Sequence, residues 1–188
     1  IHNLQNRVRD QRENLRDAHS RLEAIAVRDD LTGLYNRRHF LERLEEELSL
    51  ANRNHPPLYL AIIDLDHFKR VNDNYGHHSG DEVLSRFARI ASQGLRKSDL
   101  LARYGGEEFV VLFPHATEAA CEAALERLRR RFAEQGYSFA SDIKTTFSAG
   151  LTAFQPGETA DQLIKRADSA LYEAKSRGRN QVVQLPLS

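Results

Sequence analysis

A single cysteine, no methionine and no surplus of either charge leave this 188-residue sequence without the means for several classes of function. Cys121 alone cannot make an internal disulfide, so a small disulfide-stapled scaffold is excluded and a reducing, cytoplasmic setting is expected. Lys+Arg and Asp+Glu both number 27, so no broad field draws the chain to nucleic acid or to a membrane surface. No stretch approaches the roughly 18 apolar residues of a bilayer span, and no signal-peptide pattern opens the chain. Methionine is missing even at position 1, which reads as a piece of a longer chain, and an upstream sensory or membrane region is expected as a partner of the domain. With 40% hydrophobic residues, the length suits one compact domain with some extra helix.

The extra helix occupies residues 1–28. Ile1, Leu4, Val8, Gln11, Leu15, Ala18, Leu22 and Ile25 follow a 3,4,3,4 spacing among mostly charged neighbours. That repeat keeps one narrow apolar seam facing a partner helix, so a coiled-coil stalk joining two copies is expected. An amphipathic helix packed on its own domain would carry a wider stripe.

From residue 29 onward, helix and strand signals alternate. Phe40, Leu41, Leu44 and Leu48 mark a helical face, and Leu58–Ile63 is the continuous apolar run of a strand covered on both sides. Ser79–Gly80–Asp81–Glu82 has the form of a capping box opening a helix with Val83, Leu84, Phe87 and Leu95 inward. Leu100–Tyr104 and Phe109–Phe113 read as strands joined by a tight Gly105–Gly106 turn. Thr117 is placed to cap a helix bearing Cys121, Leu125, Leu128 and Phe132. Thr146–Phe154 reads as a strand, Thr159–Gln162 as the start of a last helix ending near Gly178, and Gln181–Leu185 as a short strand. The order predicts an α+β fold, an antiparallel-containing sheet with helices packed on it.

Chemistry concentrates in acidic pairs. Asp64 and Asp66 follow a buried strand, where a carboxylate is costly unless a cation or hydrogen bonds satisfy it. Alone, Asp-x-Asp there also fits acidic residues capping the next helix. Glu107 and Glu108 follow the glycine pair, and in isolation they read as solvated residues on a turn. A hairpin lying beside the Leu58–Asp64 strand could bring Glu107 near Asp64 and make a divalent-cation site suited to phosphoryl transfer.

Four segments in register resemble the GGDEF family of diguanylate cyclases. They are Asp30–Leu31–Thr32–Gly33–Leu34–Tyr35–Asn36–Arg37–Arg38, the run from Asp64 to Asp81, Gly105–Gly106–Glu107–Glu108–Phe109, and Ala167–Asp168 through Arg179–Asn180. The signature is the GGEEF variant, which keeps a carboxylate at position 107. The resemblance implies a nucleotidyl-cyclase-like fold, a GGDEF domain over residues 29–188, and condensation of two GTP into cyclic di-GMP by a homodimer. It implies that Asp64, Glu107 and the Leu65 carbonyl hold Mg²⁺, with Mn²⁺ a substitute, and that Glu108 supports the metal or helps deprotonate the attacking 3′-hydroxyl. It gives Asn72 and Asp81 the guanine, the Phe68–Lys69 loop the β- and γ-phosphates, and Lys175 and Arg179 the remaining phosphate charge. Physically, a carboxylate at 81 matches the N1–H and N2–H₂ donors of guanine, which adenine lacks. It equally fits a favourable charge in a helix's first turn, and Lys175 fits the dipole at a helix C-terminus.

Arg96 and Asp99 stand nine and six residues before Gly105, the offset of the family's inhibitory Arg-x-x-Asp site for cyclic di-GMP, with Arg127 aligned to a second arginine of that site. Basic neighbours Arg129, Arg130 and Arg131 also suit a plain solvated face. His77 and His78 lack a supporting cysteine cluster and read as loop residues, not zinc ligands. Two further readings remain: a receptor that binds the dinucleotide without turnover, and a cyclase for ATP or mixed substrates, which Asp81 disfavours.

Overall fold

The computed structural model describes Arg9, Gln11, Arg12 and residues 14–16, 27–54 and 56–185. Of the expected stalk seam, Gln11 and Leu15 fall among these; both are helical and exposed, Leu15 by 74%. The other seam residues, Ile1, Leu4, Val8, Ala18, Leu22 and Ile25, lie outside the described residues.

The domain is α+β. Helix α1 (Arg37–Asn54) leads to β1 (Leu58–Leu65), then α2 (Phe68–Tyr75) and α3 (His77–Gly94). The hairpin β2 (Leu100–Arg103) and β3 (Glu108–Pro114) follows, then α4 (Glu118–Ala133), β4 (Phe147–Ala153), α5 (Ala160–Ser176) and β5 (Val182–Gln184). The five strands form one sheet in the order β2-β3-β1-β4-β5, antiparallel except for the parallel β4–β5 pair. The central strand is β1, as its unbroken apolar run requires. Alternate side chains divide between two layers. Ala61, Ile63 and Leu65 join Phe87, Phe109, Phe132 and Phe147 under α2, α3 and α4. Leu60 and Ile62 join Phe40, Leu44, Leu163 and Leu171 under α1 and α5. Each such side chain contributes about 1.5–3 kcal/mol of apolar burial before the entropic cost of ordering it.

Helix α5 lies unusually close to the sheet because β4 gives it room. A side chain at Gly150 would run into the α5 backbone at Ala167, Ala170 and Leu171. Thr159 and Gln162 form the expected capping box at its start, and Arg166 ties it to β4 through Thr152 Oγ1 at 2.7 Å. Thr117 caps α4 as read from the sequence.

Two local expectations are corrected. Helix α3 begins at His77, not at the Ser79–Glu82 box: the Ser79 hydroxyl donates back to the Tyr75 carbonyl at 2.9 Å, and no side chain caps the helix. His77 and His78 are therefore exposed residues of its first turn, not of a loop. The Gly105–Gly106 turn joins β2 to β3 as expected, with neither glycine at positive φ. A Cβ on Gly105 would meet Glu108 Oε2 at 2.7 Å, the movable end of a flexible side chain.

Candidate active site

Burial makes the last turn of β1 chemically costly. Asp64 points to the α5 side of the sheet, and its side chain is 13% exposed. Burial lifts its carboxyl from the ordinary 3.8 to about 6; Lys175 opposes this, and the charges of Glu107 and Glu108 add to it. Lys175, on the last turn of α5, meets Asp64 with Nζ–Oδ2 at 3.2 Å. The close seat of α5 against Gly150 is what brings that ammonium to the strand end.

The hairpin supplies the other carboxylates. In the β1–β3 ladder Asp64 stands opposite Glu108, and the Leu65 N–H donates to the Glu107 carbonyl at 3.2 Å. The expected approach of the hairpin to Asp64 is therefore present, with Glu108 as its direct partner in register. Among the described residues, no three His, Cys, Asp or Glu side chains form a metal-holding group. The donor set nevertheless fits a hard divalent cation. A carboxylate raised by burial and by negative neighbours, as Asp64 is, is relieved by such an ion, which takes its other ligands from phosphate and water.

A second unsatisfied group lies on α2. Asn72 Oδ1 is buried with no hydrogen-bond partner among the described residues. Gly80 of α3 makes the space for that amide, since any side chain there would collide with it and with Phe68. A buried lone acceptor costs free energy unless something outside the fold donates to it. Asp81, the next residue, is exposed, and because α3 starts at His77 it falls beyond the first turn. A favourable helix-dipole charge therefore does not account for it. Phe68 is buried at the head of α2 and Lys69 is exposed beside it. Arg179 follows α5, exposed and at φ 65°.

Two residues, Asp29 and Arg103, escaped the sequence reading. Asp29, not Asp30, organises the opening motif: its Oδ1 accepts from Thr32 N at 2.9 Å and from Thr32 Oγ1 at 2.6 Å. Both its oxygens also accept from Arg103 Nη1, each at 3.2 Å. Arg103 in turn donates to the carbonyls of Gly105 at 3.1 Å and Gly106 at 2.8 Å, tying the junction after the stalk to the signature turn. Asp66 is buried among hydroxyl donors.

On the opposite side of the hairpin, Arg96, Asp99 and Arg127 share the wall of a pocket of about 150 Å³ with Gly94, Phe113 and Cys121. Asp99 Oδ2 accepts from Arg96 N at 2.8 Å, and Arg127 Nη2 donates to the Gly94 carbonyl at 2.8 Å. Burial raises the Asp99 carboxyl against the Arg96 backbone bond and charge. Burial, with the Asp99 charge, pushes the Cys121 thiol up to about 12, so it stays protonated.

Comparison with known proteins identifies the family. The family described as "Diguanylate cyclase, GGDEF domain" matches residues 26–181. Diguanylate cyclase DgcP of Pseudomonas aeruginosa is 43% identical over 183 residues, 95% of this chain and 27% of that protein. Response regulator PleD of Caulobacter vibrioides is 40% identical over 163 residues, 85% of this chain and 36% of that protein. The chain thus spans roughly a third or less of the curated relatives it matches. Among solved structures, the coiled coil and GGDEF domain of DgcB from Caulobacter crescentus, in complex with c-di-GMP, superposes with TM-score 0.83. Identity there is 31%, covering 97% of this chain and 99% of the other. Diguanylate cyclase SiaD of Pseudomonas aeruginosa, solved with its activator SiaC, gives 0.82 at 40% identity over 95% and 70% of the two chains. Among the described residues, no helix is long and apolar enough to cross a membrane.

Proposed function

Since the chain belongs to the GGDEF family of diguanylate cyclases, we propose that it condenses two GTP molecules into cyclic di-GMP, releasing two pyrophosphates. The observation that carries this is the convergence of Asp64, Lys175 and Glu108 at one end of the sheet, and the buried lone acceptor of Asn72 on α2 adds to it.

Each residue then has a task its surroundings suit. Asn72 Oδ1 accepts from guanine, which ends its isolation, and Asp81 accepts from the N1–H and N2–H₂ edge. That pairing selects guanine over adenine, because an unmatched buried polar group is strongly penalised. Lys175 and Arg179 offset triphosphate charge, and the Phe68–Lys69 backbone takes the β- and γ-phosphates. Glu108 supports the metal or helps take the proton from the attacking 3′-hydroxyl. Mg²⁺, or Mn²⁺ in its place, held by Asp64, Glu107 and the Leu65 carbonyl, supplies charge stabilisation at the α-phosphate and the leaving pyrophosphate.

One domain binds one GTP, whereas the product joins two across a two-fold axis. The working enzyme is therefore a homodimer, with residues 1–28 as a coiled-coil stalk and residues 29–188 as the catalytic domain. The pocket of Arg96, Asp99 and Arg127 binds cyclic di-GMP and limits output, Arg offering a planar donor fork and Asp an acceptor for guanine. The domain works in the cytoplasm, attached to upstream sensory or membrane sequence. Incubation with GTP and Mg²⁺, with the product identified by mass, tests the proposal. Cyclic di-GMP formation supports it, binding of cyclic di-GMP without turnover makes the chain a receptor, and an adenine-containing product overturns the roles of Asn72 and Asp81.

A further inference from the structure

Asp66 lies two residues after Asp64 and is built into the molecule differently. It is only 7% exposed. Its Oδ1 accepts from Ser148 Oγ at 2.7 Å, and its Oδ2 accepts from Thr146 Oγ1 at 2.7 Å and from the backbone N–H of Asn180 at 3.0 Å. Its own N–H donates to the Thr146 carbonyl at 2.8 Å. Three donors on one buried carboxylate satisfy its charge from within the protein.

What Asp66 grips is the segment that carries Arg179. Gly178, Arg179 and Asn180 stand at φ 112°, 65° and 48°, three successive left-handed residues. Non-glycine residues visit that region rarely, so a run of them persists only where neighbours hold it. The holds are specific. Arg179 N–H donates to the Ala174 carbonyl at 3.0 Å, closing the end of α5. Asn180 N–H goes to Asp66, and Asn180 Oδ1 accepts from Arg129 Nη1 at 2.7 Å, with Arg129 fixed by Glu126. The Arg179 side chain is exposed, so its aim depends on its backbone.

We infer that Asp66 is a positioning residue for Arg179: it fixes the backbone from which that guanidinium reaches the nucleotide's phosphates. The inference rests on the reading of Arg179 as a phosphate-binding cation. It divides the Asp-x-Asp pair, with Asp64 facing the substrate's charge and Asp66 acting only through residues 178–180.

A double-mutant cycle on the whole chain tests it, with kcat, KM for GTP and Tm measured for wild type, Asp66→Asn, Arg179→Ala and the double variant. Asp66→Asn is expected to raise KM about tenfold while kcat stays within about threefold, since the lost aim weakens phosphate binding more than chemistry. In the Arg179→Ala background the same change is expected to add less than about twofold. Additive effects on KM overturn the inference, because Asp66 then acts elsewhere. A fall in kcat of orders of magnitude, with a raised Mg²⁺ requirement, makes Asp66 a metal ligand and overturns it too. If Arg179→Ala alone leaves KM unchanged, the phosphate role of Arg179 and the inference both fail, whereas an Arg179 effect uncoupled from Asp66 sinks only the inference. Should Asp66→Asn not fold, Thr146→Val, which removes one donor from the same oxygen that holds Asn180, enters the cycle with the same criteria.

Discussion

At the end of β1, Asp64 meets a lysine from the far end of the chain, while in the pocket behind Arg96 the Asp99 carboxylate accepts from a backbone N–H three residues away. The first arrangement needs the finished sheet, the close seat of α5 and the hairpin register together. The second needs little more than one loop and one helix face. The first also leaves a carboxyl raised to about 6, with negative neighbours. The second has its Arg and Asp backbone already bonded to each other. The difference lies in what is left over: the site proposed for chemistry clusters carboxylates for a ligand to relieve, whereas in the pocket proposed for product the raised Asp99 carboxyl already has a backbone partner.

The strongest break of this comparison is to neutralise the first region. Asp64→Asn or Glu107→Gln is expected to lower turnover at least about a thousandfold, several kcal/mol of lost charge stabilisation, with the fold intact. Product formation at saturating Mg²⁺, beside circular dichroism, is the check, and near-normal rates would end the metal assignment. The matching break in the second region is Arg96→Ala. Cyclic di-GMP affinity should fall about tenfold to a hundredfold, the loss of one charged bonding partner, while initial GTP turnover is unchanged. Calorimetry with the dinucleotide decides this, and unchanged affinity would move the inhibitory site elsewhere.

Both regions are proposed to work in a dimer, so removing residues 1–27 is expected to reduce specific activity several-fold at low protein concentration and little at high concentration. Gln11→Leu should oppose that loss by strengthening the seam. Activity against concentration, alongside sedimentation, tests this; identical curves and masses for full and truncated chains would reduce the stalk to a tether.

The smallest effect sharpens the contrast through pH. Because the folded Asp64 pKa of about 6 lies above its ordinary 3.8, the native state binds more protons than the unfolded one between those values. Stability from this group is therefore fully present below about pH 4 and lost as pH rises through about 6. In metal-free protein, Asp64→Asn should match wild type near pH 4 and exceed it by about 2 kcal/mol at pH 7. Paired denaturant titrations at the two pH values measure it, and equal stability at pH 7 would mean that Asp64 carries no such burden.

Much of this was legible in residue order. The unbroken run Leu58–Ile63 marked the central strand, and the Thr117 and Thr159 caps fell where the structure has them, because a cap acts within one turn. The start of α3 was misread for a related reason: Ser79 has a capping residue's chemistry, but its hydroxyl turns back to Tyr75 once α2 ends at the adjacent turn. The glycine pair announced a hairpin, and β2 and β3 form it, with neither glycine at positive φ.

By itself the sequence determined the α+β order, the site residue types and the family resemblance, since propensity, periodicity and motif spacing are properties of the chain. Motif resemblance singled out Asp64 and left Asp66 without a task. Tertiary structure shows how differently the two are surrounded, because which donors and charges a carboxylate meets depends on the packed sheet. Lys175 and the glutamates surround one, and Thr146, Ser148 and Asn180 the other. Those neighbours come from strands and loops that only the closing of the sheet brings within hydrogen-bond reach.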